Sequence, residues 1–242
     1  MARTSGFSLL ELMIVLIIIL SISAAIFQTI NLTTQRSSAE QTKIDMFQEA
    51  REFMDQMSRD LRQAGYPSAR NMDPVVFGVL TLTPPQPIIN DHHVAAGIVK
   101  VDTGDLWFEG DLDGTEPPKV WAVRYHLDSS GPNCPCLKRS QLEKQDGDPL
   151  TGQLTEVYQV EVQGVLNTDI FSAYTNGTAV GLPVSTAVGS SLATVDTVQA
   201  KLTLQAATAD PQTRQRPTAT LVTTVRLNNC SQAGIGFKTS CQ

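Results

Sequence analysis

Four groups of residues in this 242-residue chain are of the types that do chemistry. The first is Glu11, the only charge between Phe7 and Phe27. A carboxylate in so apolar a run costs about 2.5–3.5 kcal/mol on membrane insertion scales, so a cationic partner is its natural use. The plainer reading is a side chain that snorkels to an interface. The second group is Glu109, Asp111 and Asp113, at alternate positions before Gly114. That is how a calcium loop opens, and it makes calcium the one candidate cofactor. The match then stops, because the twelfth position is Val120 where a bidentate glutamate is needed. A solvated acidic hairpin fits better, and Asp102 and Asp105 join only if hairpins stack. The third group is His92, His93 and His126, the only histidines. A zinc site needs them to converge with other ligands. An adjacent pair on an extended chain points two ways, so no metal site is expected there.

The fourth group is Cys134, Cys136, Cys230 and Cys241. An even count in an exported chain suggests bridges, and four cysteines allow three pairings. Cys230 with Cys241 closes a short C-terminal loop and is the first choice. It leaves Cys134 with Cys136 across one proline, a tight bridge. Free thiols are the alternative without an oxidising compartment. The spacing C-P-C is too short for a zinc knuckle. Asp146-Gly147-Asp148 reads as a turn. There is no nucleophile elbow, glycine-rich phosphate loop or metalloprotease helix. The chain is therefore expected to be a substrate of processing enzymes and not an enzyme. Its 24 acidic and 18 basic residues give a net charge of −6, with no basic cluster. No nucleic-acid partner is expected on that balance.

The elements that must position these groups begin with one long helix. The stretch 7–27 spans 21 residues of almost unbroken Leu, Ile, Val, Met and Ala. As a helix it is about 30 Å long, which matches a bilayer core. Arg3 before it would stay cytoplasmic by the positive-inside rule, leaving the remainder outside. No proline occurs between Met1 and Tyr66, and no glycine between Gly6 and Gly65. Ile44, Phe47, Met54, Met57, Leu61 and Ala64 recur at helical steps, an amphipathic stripe expected to be plain core packing. Gly65-Tyr66-Pro67 supplies a glycine cap and a proline stop.

Gly6-Phe7-Ser8-Leu9-Leu10-Glu11 before a long apolar run resembles the processing site of type IV prepilins. What the resemblance implies is a leader of residues 1–6 and cleavage by prepilin peptidase between Gly6 and Phe7. N-methylation of Phe7 follows, and Glu11 pairs with the N-terminal amine of a neighbouring subunit. A carboxylate and an ammonium in low dielectric attract strongly, and either alone is penalised. An ordinary signal peptide cut near Ser21-Ile22-Ser23-Ala24-Ala25 is the rival. Its fit is poorer, since the apolar stretch is long and acidic at its start.

After Pro67 the pattern turns to short alternating segments between Gly, Pro, Asn and Asp. Strands are expected at 75–82, 106–108, 120–127, 155–164, 199–206 and 220–228, as antiparallel sheet with one solvated face. Trp121, Val123, Tyr125 and Leu127 should share one face, and Tyr158, Val160 and Val162 another. The stretch 167–195, rich in Gly, Ser, Thr and Ala, is expected to be a long loop. The fold class is α+β: a filament-core or membrane helix (7–27), an amphipathic helix packing on the head (28–66), and a β-rich periplasmic head (67–242).

The head resembles PilW-type minor pilins. The resembling stretches are 108–114 leading into Val123-Arg124-Tyr125, then Leu137-Lys138-Arg139, then Val225-Arg226-Leu227-Asn228-Asn229. The resemblance implies a minor pilin that primes or joins a type IV pilus, held first in the bacterial inner membrane and later on the cell surface. Its partners would be other major and minor pilins, met through the N-terminal helix. A J-type pseudopilin of type II secretion is the near alternative. A tip adhesin and a secreted enzyme are the readings from other classes.

Overall fold

The computed structural model describes residues 8–67, 88–131, 134–186, 191–210 and 213–227. Its longest element is helix α1 (Leu9–Gln63), 55 residues and therefore about 80 Å long. The carbonyl of Ser8 accepts the first helical bonds, from Glu11 N at 3.0 Å and Leu12 N at 3.2 Å. Ser8 thus stands at the N-cap, a position that serine favours. At the far end Gly65 adopts φ +85°. That left-handed residue ends the helix, and glycine takes it without a Cβ penalty. Helix and cap agree with the sequence expectation.

The described residues fall into two compact units, 1–45 with 206–217 and 46–205 with 218–242. In the second, α1 buries Met46, Ala50, Phe53, Met54, Met57 and Leu61, with Ala64 next. These recur every three or four residues, as a helix packed along one side requires. The expected stripe needs one correction. Ile44 is 49 % and Phe47 47 % exposed. Met46 and Phe47 are sequence neighbours, so they point about 100° apart, and packing selects Met46.

Among the described residues, ten strands form two antiparallel sheets. β1 (Ile98–Asp102), β2 (Asp105–Gly110), β3 (Trp121–Asp128), β4 (Cys136–Glu143) and β5 (Tyr158–Gln163) run as a meander. With β8 (Val184–Ser185) they make a six-stranded sheet of order β5-β4-β3-β2-β1-β8. β6 (Phe171–Thr175), β7 (Thr178–Ala179), β9 (Thr197–Gln205) and β10 (Thr218–Arg226) make a second, ordered β10-β9-β6-β7. The fold is α+β, as expected. Of the expected strands, 75–82 lies outside the described residues.

The expected loop at 167–195 holds β6, β7 and β8 instead. Phe171 and Ala173 are buried there, and Phe171 pairs with Ala200. The turn between β6 and β7 is Asn176-Gly177, both at positive φ. Asn-Gly is the preferred pair for a two-residue hairpin turn. In β5 only Val162 of the three aligned residues is buried, and Val160 is exposed. A register shift against β4 at Leu137/Lys138 breaks the alternation there, because a bulge turns later side chains to the other face.

The part of α1 in this second unit, residues 46–63, covers one face of the larger sheet. Phe53 meets Tyr125 edge-on at 5.5 Å, and Phe108 stacks on Tyr125 at 6.1 Å. Asp60 on α1 accepts hydrogen bonds from Tyr125 Oη at 3.0 Å and Arg139 Nη2 at 2.9 Å. Met57 and Leu61 are fully buried beside this clamp, each contributing about 1.5–3 kcal/mol. Gly110 seals the junction. Its residue bridges Ala64, and a Cβ there would lie 2.6 Å from the Gln63 carbonyl oxygen. The opposite face carries a smaller core of Ile89, Ala96, Val99 and Trp107, with Leu150 against it.

Candidate functional site

Two regions hold the sequence-predicted residues. In the first, every large apolar side chain from Leu9 to Leu32 is exposed, on a helix whose mean hydropathy reaches 2.8 over 18 residues. This is one helix long and apolar enough to span a membrane. Glu11 lies in its first turn, where a carboxylate is favoured by the positive end of the helix dipole. Ser8 and Glu11 have the spacing of a capping box, a signal that the sequence reading passed over. Gly6 and Phe7 lie outside the described residues.

The second region is the head. Glu109, Asp111 and Asp113 do not converge on a cation. Glu109 turns inward from β2 and is fully buried. Its Oε2 accepts from Lys144 Nζ at 2.6 Å and from Ala96 N at 2.8 Å. Asp111 folds back on its own turn, accepting from Gly114 N at 3.0 Å and Asp113 N at 3.2 Å. Asp113 takes Thr115 N and Oγ1. The calcium-loop candidate is not assembled by these residues: β2 ends at Gly110, so Glu109 stays in the sheet, held by a lysine, while Asp111 and Asp113 lie in the turn beyond it.

Lys144 was not singled out from sequence. It is fully buried and also donates to the carbonyls of Ile89 at 2.6 Å and Val94 at 2.7 Å. Burial pushes the Glu109 carboxyl up, and Lys144 and Ala96 pull it back only in part. The pair therefore ties β2, the segment after β4, and the loop 89–96 into one polar knot. Asp105 sits on the same face, held by Arg124 Nε at 2.7 Å and Lys100 Nζ at 2.7 Å. Burial acts to raise its carboxyl, and these two cations outweigh it, leaving Asp105 below the usual range. The Arg124 guanidinium also lies 5.0 Å over the Trp107 ring. Asp102 and Asp105 meet Lys100, at 3.9 and 2.7 Å, and no cation loop.

The histidines need a second correction. His92 and His93 lie in a turn, not on an extended chain, and their rings stack 3.8 Å apart. His92 Nδ1 is 2.7 Å from Asp146 Oδ1, and His93 Nδ1 is 2.9 Å from Asp91 Oδ1. His126 is elsewhere, on β3, with its ring 5.8 Å from that of Tyr158. Asp146 also accepts from His92 N at 2.9 Å. Contact with His92 holds its carboxyl below the usual range. Asp146-Gly147-Asp148 bends as expected, and Asp148 accepts from Leu150 N at 2.7 Å.

Cys134 and Cys136 form a disulfide with Cα atoms 4.4 Å apart. Cys230 and Cys241 lie outside the described residues. No family model, no curated protein and no solved structure matches this chain.

Proposed function

We propose that this chain is a minor pilin of the PilW type, cut by prepilin peptidase between Gly6 and Phe7 and built into a type IV pilus by α1. The observation that carries the reading is the apolar surface of α1 from Leu9 to Leu32, exposed on all sides, with Glu11 in the first turn. A helix apolar all round is one that works buried, in lipid or among other helices. It therefore has two uses, as an inner-membrane anchor before assembly and as filament core afterwards. The periplasmic head then rides on the other half of the helix.

Glu11 has a job in both settings. In its own helix it faces the partial positive charge of the N-terminus. Beside a neighbour it offers a carboxylate to the amine that cleavage creates at Phe7. An unpaired charge in that core is expensive, and a matched pair sets which axial register is allowed. The head supports a structural role. The buried carboxylates Glu109 and Asp105 are tied to Lys144 and Arg124 across strands.

The test is Glu11→Ala in cells that assemble the filament. Cleavage should proceed as in the wild type, while the amount of chain in sheared filaments falls at least tenfold. Normal incorporation of the variant would remove the pairing role and, with it, the reading of α1 as an assembly helix.

A further inference from the structure

We propose that Asp91, His92 and His93, backed by Asp146, form a binding site for a divalent transition metal of the zinc class. One ligand atom from each of Asp91, His92 and His93 lies within 4.8 Å of the others. The imidazole rings are 3.8 Å apart and tilted by 37°, so the pair acts from one side of the turn. Asp146 lies on Nδ1 of His92 from outside the ligand set, while Asp91, itself a ligand, lies 2.9 Å from His93 Nδ1. A carboxylate behind a histidine fixes the ring and raises its basicity, which is the usual support of a metal-binding imidazole.

The surroundings favour the same use. The two rings line a pocket of about 200 Å³ with Pro117, Pro118, Lys119 and Glu143. That space leaves room for water or an added ligand to complete a four-coordinate ion. Imidazole with carboxylate suits zinc, nickel or copper, whereas calcium takes oxygen ligands alone. The turn is anchored, so the ligands start near their places. Asp91 Oδ1 holds His93 N at 2.8 Å, Asp146 Oδ1 holds His92 N, and Asn90 O accepts from Gly147 N at 2.7 Å. The site lies on the head and does not depend on the pilin reading.

The experiment is zinc titration of the full-length, tag-free protein in detergent micelles by calorimetry, without reductant. The proposal expects one saturable site. It expects binding at least tenfold weaker in His92→Ala and in His93→Ala, and unchanged in His126→Ala. Asp146→Asn should weaken binding roughly 10- to 100-fold while leaving both histidines in place. Magnesium should give no saturable heat. Absence of a saturable zinc site, or undiminished binding in the His92→Ala/His93→Ala double variant, overturns the proposal.

Discussion

Lys144→Met is the sharpest test of how the head is held together. The wild-type ammonium is fully buried and donates to Glu109 Oε2, Ile89 O and Val94 O at 2.6–2.7 Å. Methionine keeps the length of the side chain and removes all three donors. Glu109 is then left buried beside Ala96 N alone, with its Oε1 already lacking a partner among the described residues. Breaking a buried pair from one side costs about 3–5 kcal/mol. At about 2–4 °C per kcal/mol for a domain of this size, the melting temperature should fall by roughly 6–20 °C. Glu109→Leu in the same background should recover much of the loss, because two apolar groups leave no lone charge. Two carbonyls, of Ile89 and Val94, still lack their donor, so recovery stops short of wild type. The assay is thermal and denaturant unfolding of the micellar protein, followed by Trp107 and Trp121 fluorescence. A Lys144→Met variant within about 1 kcal/mol of wild type, or a double variant no better than the single one, would refute the reasoning.

Further outcomes follow from neighbouring geometry. Gly110→Ala places a methyl 2.6 Å from the Gln63 carbonyl oxygen and 2.9 Å from its carbon. Both are backbone atoms that cannot swing aside, so stability should drop by about 1–3 kcal/mol in denaturant unfolding. Asp105 is depressed by Arg124 and Lys100 against the pull of burial. A depressed carboxyl contributes stability that is complete above its unfolded value, about 3.9, and is lost as pH falls through the folded value. Asp105→Asn should therefore flatten the acid side of a stability profile below about pH 4 and lower stability at neutral pH.

The helix and much of the meander were legible in the sequence for plain reasons. Sixty residues without proline, in which Leu, Gln, Met and Arg recur, leave α1 few alternatives. Strict alternation at Ala200, Leu202 and Leu204 marked β9, and all three are buried. What escaped detection had weaker local signals. Ser172, Ala173 and Thr175 make β6 look like loop, although Asn176-Gly177 announced its hairpin. β4 reads Cys-Leu-Lys-Arg-Ser-Gln-Leu-Glu, polar enough to hide a central strand. Its Arg139 is retained there because Asp60 on α1 receives it.

The functional residues divide the same way. Glu11 stood out as a lone charge in an apolar run. The partnership of Lys144 with Glu109 spans 35 positions, and that of His92 with Asp146 spans 54. No local pattern encodes either, because each depends on loops brought together by sheet order. The acidic run at 109–113 is a further case, because β2 ends at Gly110. Glu109 therefore stays in the sheet, while Asp111 and Asp113 fold into the turn beyond it, so three carboxylates close in sequence do not meet.

The central claim is that α1 belongs to a processed pilin, and the mature N-terminus tests it most directly. Intact-mass and peptide mass spectrometry of the protein from membranes should find a chain beginning at Phe7 with a methylated amine. A mature chain beginning near Ala25 would mean that an ordinary signal peptidase had removed Glu11 and the apolar half of the helix, and would contradict the account.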